Sequence, residues 1–198
     1  MAKRTTTPKS RLGKDDWTRA ALAALARGGV AAVAVEPLAT RLGATKGSFY
    51  WHFANRDALL QAALAAWETE TTTTVLDEVA RAGGDASHRL RLLTATVVEA
   101  AERDRIGPAL LANADHPAVG PALARVTETR VAAIAALFEE LGFPAGTARE
   151  RALLAYSTYL GHAQLARTTP GLLPSGAQDR RRYLDHVMDA LTSAPSAG

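Results

Sequence analysis

At 198 residues the chain holds one large or two small domains and enough apolar side chains for a sizeable core. It has no cysteine, which excludes disulfides and thiolate metal sites, and no apolar run reaches the roughly 18 residues a membrane span needs. Residues 1–56 carry ten Lys/Arg against Asp15, Asp16 and Glu36, net +7, while residues 57–198 carry thirteen Arg against seventeen acids, net −4.

A basic quarter on an acidic remainder suits one module that meets a polyanion and another that does not. Alanine and leucine dominate and Val/Ile alternation is nearly absent, so the expected class is all-α with about nine helices. The opening MAKRTTTPKSRLGK is basic and lacks the apolar centre of a signal peptide. Residues 1–14 are expected to form a flexible basic arm, and the absence of cysteine suits a cytoplasmic setting.

A first helix is expected from about Asp15 to Arg27, where Trp17, Ala21, Leu22 and Leu25 recur at helical spacing before Gly28-Gly29. A second begins near Val35, with Pro37 in its first turn, where no backbone donor is needed. Gly43 supplies a turn, and the hydroxyl of Thr45 caps a third helix from Lys46 to Phe53. Asn55 caps a long fourth helix, on which Leu60, Leu64, Trp67, Thr71, Val75 and Val79 follow at steps of three to four. The threonine run 71–74 weakens helix propensity there without breaking the pattern. Further helices are expected from Ser87 to Arg103, around Pro108–Ala114, from Pro117 or Val119 to Leu141, from Thr147 to Arg167 and from Ala177 to Thr192. Residues 193–198 read as a frayed tail.

LATRLGATKGSFYWHFANR, residues 38–56, is the most informative stretch. Leu38, Ala39, Leu42, Phe49 and Phe53 supply an apolar side, and Gly43 permits a sharp turn between two short helices. Thr45, Lys46, Ser48, Tyr50, Trp51 and His52 then face outward with donors, a cation and flat rings. Gly47 costs about 1 kcal/mol relative to alanine inside a helix, and its missing side chain would let a phosphate or base edge come close. Arg56 is placed to clamp a flanking phosphate. This is the pattern of a helix-turn-helix, whose second helix enters the major groove.

Residues from about Trp17 to Leu60 resemble the DNA-binding domain of the TetR family of transcriptional regulators, through AALAAL, GG, LATRLGATKGSFYWHF and NRDALL. The resemblance implies that Lys46 and Gly47 open the recognition helix and that Ser48 and Trp51 meet bases or the groove. It implies phosphate contacts from Tyr50, His52 and Arg56, with Thr45 as cap and possible phosphate donor. Two departures stand out: Ala34 offers no cap for the second helix, and Glu36 would repel phosphate, so no base contact is assigned to that helix.

The resemblance further implies a homodimer that binds double-stranded DNA, with a helical ligand-binding and dimerisation domain behind the three-helix head. The expected division is residues 15–60 for the head and 61–192 for the body. Polar groups on apolar stripes mark a candidate cavity: Trp67, Thr71, Thr96, Asn113, His116, Arg130, Tyr156, Tyr159 and His162, with Phe138 on the same stripe as Arg130. Arg130 suits either a ligand carboxylate or an internal salt bridge. Leu153, Ser157 and Gly161, with Tyr183, Val187 and Leu191 on the last helix, suit a four-helix dimer interface.

The leading expectation is a repressor released from a near-palindromic operator by a small molecule. The alternative is a ligand-independent or architectural DNA-binding protein. No metal-ligand spacing, phosphate loop or nucleophile elbow appears, so no enzyme, metal or cofactor is expected.

Overall fold

The computed structural model describes residues 12–193. Most of the expected basic arm and all but the first residue of the expected tail lie outside the described residues. The described residues are helical, with ten α-helical segments and no strand. They are α1 (Lys14–Gly28), α2 (Val35–Leu42), α3 (Lys46–Tyr50), α4 (Arg56–Glu68) and α5 (Thr74–Ala82). There follow α6 (Ala86–Arg103), α7 (Ile106–Leu111), α8 (Val119–Glu140), α9 (Ala145–Thr168) and α10 (Ala177–Thr192).

α4 and α5 are one rod joined by a π-helical turn, Thr69–Thr73, so the described residues make nine separate helices, as the sequence led us to expect. The π register is visible where Thr74 N–H bonds back to the Thr69 carbonyl, five residues earlier. The threonine run thus does more than weaken the helix: it shifts its register while leaving the rod unbroken.

Local chemistry accounts for the element ends. Asn55 and Asp85 cap α4 and α6 through their side chains, accepting from Ala58 and His88 N–H at 2.8 Å each. α6 therefore starts at Ala86 rather than after Ser87. α2 starts from Ala34 without a side-chain cap. α3 ends at Tyr50 rather than Phe53, with residues 51–52 in a turn.

Two apolar cores organise the body of the molecule. The first joins Trp17, Leu25, Leu38, Phe49, Leu59 and Leu60 of the first four helices with Leu110 of α7 and Val119 and Val126 of α8. The second gathers Leu90, Leu93, Val131, Phe138, Ala148, Ala152 and Met188 from α6, α8, α9 and α10. α8 and α9 form an αα-hairpin through the short turn at Gly142-Phe143-Pro144 and pack along their lengths. Arg151 closes the end of this layer: its guanidinium lies 4.2 Å from the Phe143 ring and donates to the Leu191 and Ser193 carbonyls at the end of α10.

No helix among the described residues is long and apolar enough to cross a membrane.

Candidate nucleic-acid interface and effector cavity

The helix-turn-helix is set by an aromatic knot. Phe49, fully buried, meets the Trp17 ring edge-on at 5.3 Å between centroids and stacks on Phe53 at 5.7 Å. Leu38 and Ala39 of α2 are buried beside it, and Gly43 turns the chain with φ 62°, a left-handed conformation that glycine takes without strain. Thr45 Oγ1 accepts from Ser48 N–H at 3.1 Å, which starts α3 as the sequence suggested.

With Phe49 and Phe53 turned inward, the intervening rings turn outward. Trp51 is 88% exposed and Tyr50 60% exposed. Thr45, Lys46 and Gly47 are also exposed, while Ser48 and His52 are half-buried. A Cβ at Gly47 would meet only Thr45 Oγ1, at 3.6 Å, an ordinary contact. Nothing among the described residues therefore requires glycine at that position.

Two of the expected contact residues already hold partners within the chain. Lys46 Nζ is ion-paired with Glu36 of α2. The pair is exposed, and its hydrogen bond holds the Glu36 carboxyl below the usual carboxylate range and the Lys46 ammonium above its ordinary value. His52 Nε2 donates to the Leu12 carbonyl at 3.1 Å, tying the chain ahead of α1 to the end of α3.

Arg56 is placed otherwise than expected. Its Nε donates to the Val33 carbonyl at 2.6 Å and Nη2 to the Val30 carbonyl at 2.7 Å, in the segment between α1 and α2. Nη1 lies 3.4 Å from Asp57. The guanidinium thus gives the Val33 carbonyl a partner and adds a second donor to the Val30 carbonyl, which already accepts from Val33 N–H.

Residues 18–63 match the family of bacterial regulatory proteins, tetR family. The match covers the three-helix head and the start of α4. Among solved structures, a transcriptional regulator from Rhodococcus sp. Rha1 is 24% identical with a TM-score of 0.71, covering 91% of this chain and 94% of its own. A TetR transcriptional regulator from Legionella pneumophila is 14% identical with a TM-score of 0.71, covering 95% and 98%. At these identities the likeness carries the fold, and it extends through the helical body behind the TetR head. Among curated proteins nothing matches the chain.

Behind the TetR head, the π turn, α5, α6, α8, α9 and α10 enclose a narrow cavity of about 60 Å³. Of the residues expected there, Thr71, Arg130, Tyr156, Tyr159 and His162 line it. The others are placed elsewhere. Trp67 is buried in the first core and Phe138 in the second. Asn113 donates to the Ala109 carbonyl at 2.8 Å, and His116 Nδ1 accepts from Ala118 N–H at 3.2 Å, so both serve the short segment around α7. Thr96 lies on α6 outside the lining.

Tyr183, Val187 and Leu191, expected at a dimer interface, line this cavity instead, because α10 folds its apolar face onto α6 and α9. Thr72 and Thr94 also line it, and sequence reasoning missed both. Thr72 stands in a run of four threonines, and only the helical phase across the π turn singles it out as buried.

The polar groups of the cavity are unevenly satisfied. Arg130 Nε donates to Thr72 Oγ1 at 2.9 Å, and its Nη2 donates to the Thr71 carbonyl at 3.0 Å and hydroxyl at 3.1 Å. Its guanidinium lies 5.8 Å from the Tyr159 ring centre. Burial pushes the Tyr159 phenol up, with the Arg130 charge opposing. Tyr156 and Thr127 share a hydrogen bond at 3.3 Å. His162 is only 4% exposed, and among the described residues neither ring nitrogen has a hydrogen-bond partner. It stacks on Tyr183 at 5.8 Å, with Glu102 no nearer than 4.0 Å. Burial lowers its pKa from the ordinary value, against the pull of Glu102.

Proposed function

We propose that this chain is a TetR-family regulator, a ligand-responsive repressor that binds a near-palindromic operator as a homodimer and leaves it when a small molecule enters the body. The observation that carries the DNA-binding part is the outward display of Tyr50 and Trp51 beside Lys46 and Gly47, on a helix locked from behind by Phe49. Lys46, Gly47, Ser48 and Trp51 enter the groove in this reading, and Thr45, Tyr50 and His52 meet the backbone. Arg56 braces the head rather than the DNA. The head is taken as residues 15–60 and the body as 61–192, and the protein acts in the cytoplasm.

The subunits pair through α9. Leu153, Leu154, Leu160 and Leu165 are exposed along one side of it, with Ser157 and Gly161 between them. Small residues inside an apolar stripe let a second helix approach closely. The exposed side of α10, in contrast, carries Arg181, Arg182, Asp185, His186 and Asp189.

The narrowness of the cavity favours a second reading, a ligand-independent regulator, since pockets for small molecules usually run to several hundred Å³. Both readings share the DNA-binding head. Duplex DNA titrated at several salt concentrations tests it. Lys46→Ala and Tyr50→Phe should weaken binding, and Lys46→Ala should flatten the salt slope by about 1 as one phosphate contact is lost. Unchanged affinity and slope in both variants would remove these contact assignments.

A further inference from the structure

Arg130 is the one charged residue lining the cavity, and it has no counter-ion there. Among the described residues no carboxylate pairs with it. The guanidinium instead holds two threonine hydroxyls and a main-chain carbonyl of the π turn, all neutral acceptors. Around it the walls are apolar, with Val75, Leu93, Val97, Ile134 and Val187 among them. At the next turn of α9 beyond Tyr159 the buried His162 ring leaves both nitrogens unpaired. The His162 nitrogens are costly to leave without partners and the Arg130 charge is met only by neutral acceptors, so the cavity is equipped for a guest that it does not provide for itself.

The guest's chemistry follows from these groups. A carboxylate matches the fork of a guanidinium through two parallel, charge-assisted hydrogen bonds, which neutral hydroxyls cannot equal. A phosphate would bring close to two negative charges to a single cation. The apolar walls ask for a hydrocarbon body, and the small volume favours a short one.

Arg130 also grips the one irregular point of the rod that leads to the head. At the far end of that rod, Arg56 fixes α4 to the Val30 and Val33 carbonyls, so the head moves with α4. We propose that the cavity takes a short monocarboxylate with an apolar body, and that its carboxylate draws Arg130 off Thr71 and Thr72 and so releases the π turn. This rests on the ligand-responsive reading and supplies its ligand class and its trigger. The guest acts only through the difference in its affinity for the gripped and released turns.

The test uses the full chain with butanoate, hexanoate and octanoate and the straight-chain alcohols of equal length. Thermal unfolding should rise by several degrees with the best carboxylate and by less than a third as much with its alcohol. Arg130→Met and Arg130→Gln, checked for retained helix content, should abolish the difference between acid and alcohol. Hydrogen exchange gives the second readout. The amides of residues 69–74 should exchange at least tenfold faster with the carboxylate bound, although the protein as a whole is more stable, and Arg130→Gln should show that fast exchange without any ligand.

Equal stabilisation by acid and alcohol would overturn the proposal while leaving a ligand-responsive body standing. Stabilisation by no member of the series would overturn it too. So would carboxylate binding that slows or leaves unchanged the exchange of the π turn. DNA binding by the head is measured separately and stands or falls apart from these outcomes.

Discussion

Lys46, at the start of the recognition helix, is ion-paired with Glu36 on the helix before it. The cation expected to meet DNA is thus neutralised by its own chain before DNA arrives. Both pKa shifts favour the ionised pair, so it persists through neutral pH. Phosphate must compete with Glu36, and the carboxylate also repels phosphate directly. Glu36→Gln should therefore tighten binding to DNA several-fold at low salt, as both the carboxylate's repulsion of phosphate and its hold on Lys46 are lost. Titrations at three or more salt concentrations check this, and unchanged or weaker binding would mean that Glu36 positions Lys46 rather than restrains it.

Gly47 separates folding from function. A methyl group at this position meets only the Thr45 hydroxyl at contact distance, and alanine is favoured over glycine in a helix by up to about 1 kcal/mol. Gly47→Ala should leave thermal stability unchanged or slightly raised. If the bare backbone is there for close approach to DNA, the same variant should lose about tenfold or more in affinity, or ~1.4 kcal/mol. A stable variant that binds as tightly as the parent would show that the glycine serves neither purpose.

His162 makes stability depend on pH. Its pKa is lowered from the ordinary 6.5 mainly by burial; Glu102 on α6 raises it and Arg180 on α10 lowers it. The unfolded chain therefore takes up the proton more readily than the folded one. The stabilisation is complete above about pH 6.5 and is lost as pH falls from there toward the folded pKa. Thermal unfolding of the parent should fall between pH 7 and pH 5 relative to His162→Phe, which lacks the titrating group. A constant difference between the two proteins across that range would contradict the assignment.

The parts that were legible in the sequence are those fixed by neighbours along the chain. The Thr45 cap, the Gly43 turn, the inward Phe49 and Phe53 and the helix limit near Gly28 all depend on a few adjacent residues. What was not legible depends on distant partners. The turn of Arg56 toward Val30 and Val33 needs the packing of α4 against the loop after α1. The π register at Thr69–Thr73 comes with Arg130, 58 residues away from Thr72. Threonine composition can mark a weak place in a helix, but not which way it yields.

The candidate cavity shows the same division. Arg130, Tyr156, Tyr159 and His162 were recognisable as polar groups on apolar stripes, and the α8–α9 hairpin brings them together. Trp67, named with them, and Phe138, on the same stripe as Arg130, are taken up by the two cores. Tyr183, Val187 and Leu191 form one apolar face, which periodicity identifies, but the sequence does not say whether that face meets another subunit or its own chain. In the fold it meets its own chain, while Leu153, Leu154, Leu160 and Leu165 of α9 are exposed.

In the proposed mode of action, two copies of the recognition helix, paired through α9, read DNA together. Selection of bound duplexes from a random pool by the full chain, followed by footprinting, tests it most directly. The account predicts two inverted half-sites with centres about one helical turn or a whole multiple of it apart. Trp51→Ala should lose the selected sequence, and Leu160→Glu should leave a protein that binds single half-sites weakly. No enriched sequence would contradict the account, as would the same enriched sequence recovered with Trp51→Ala.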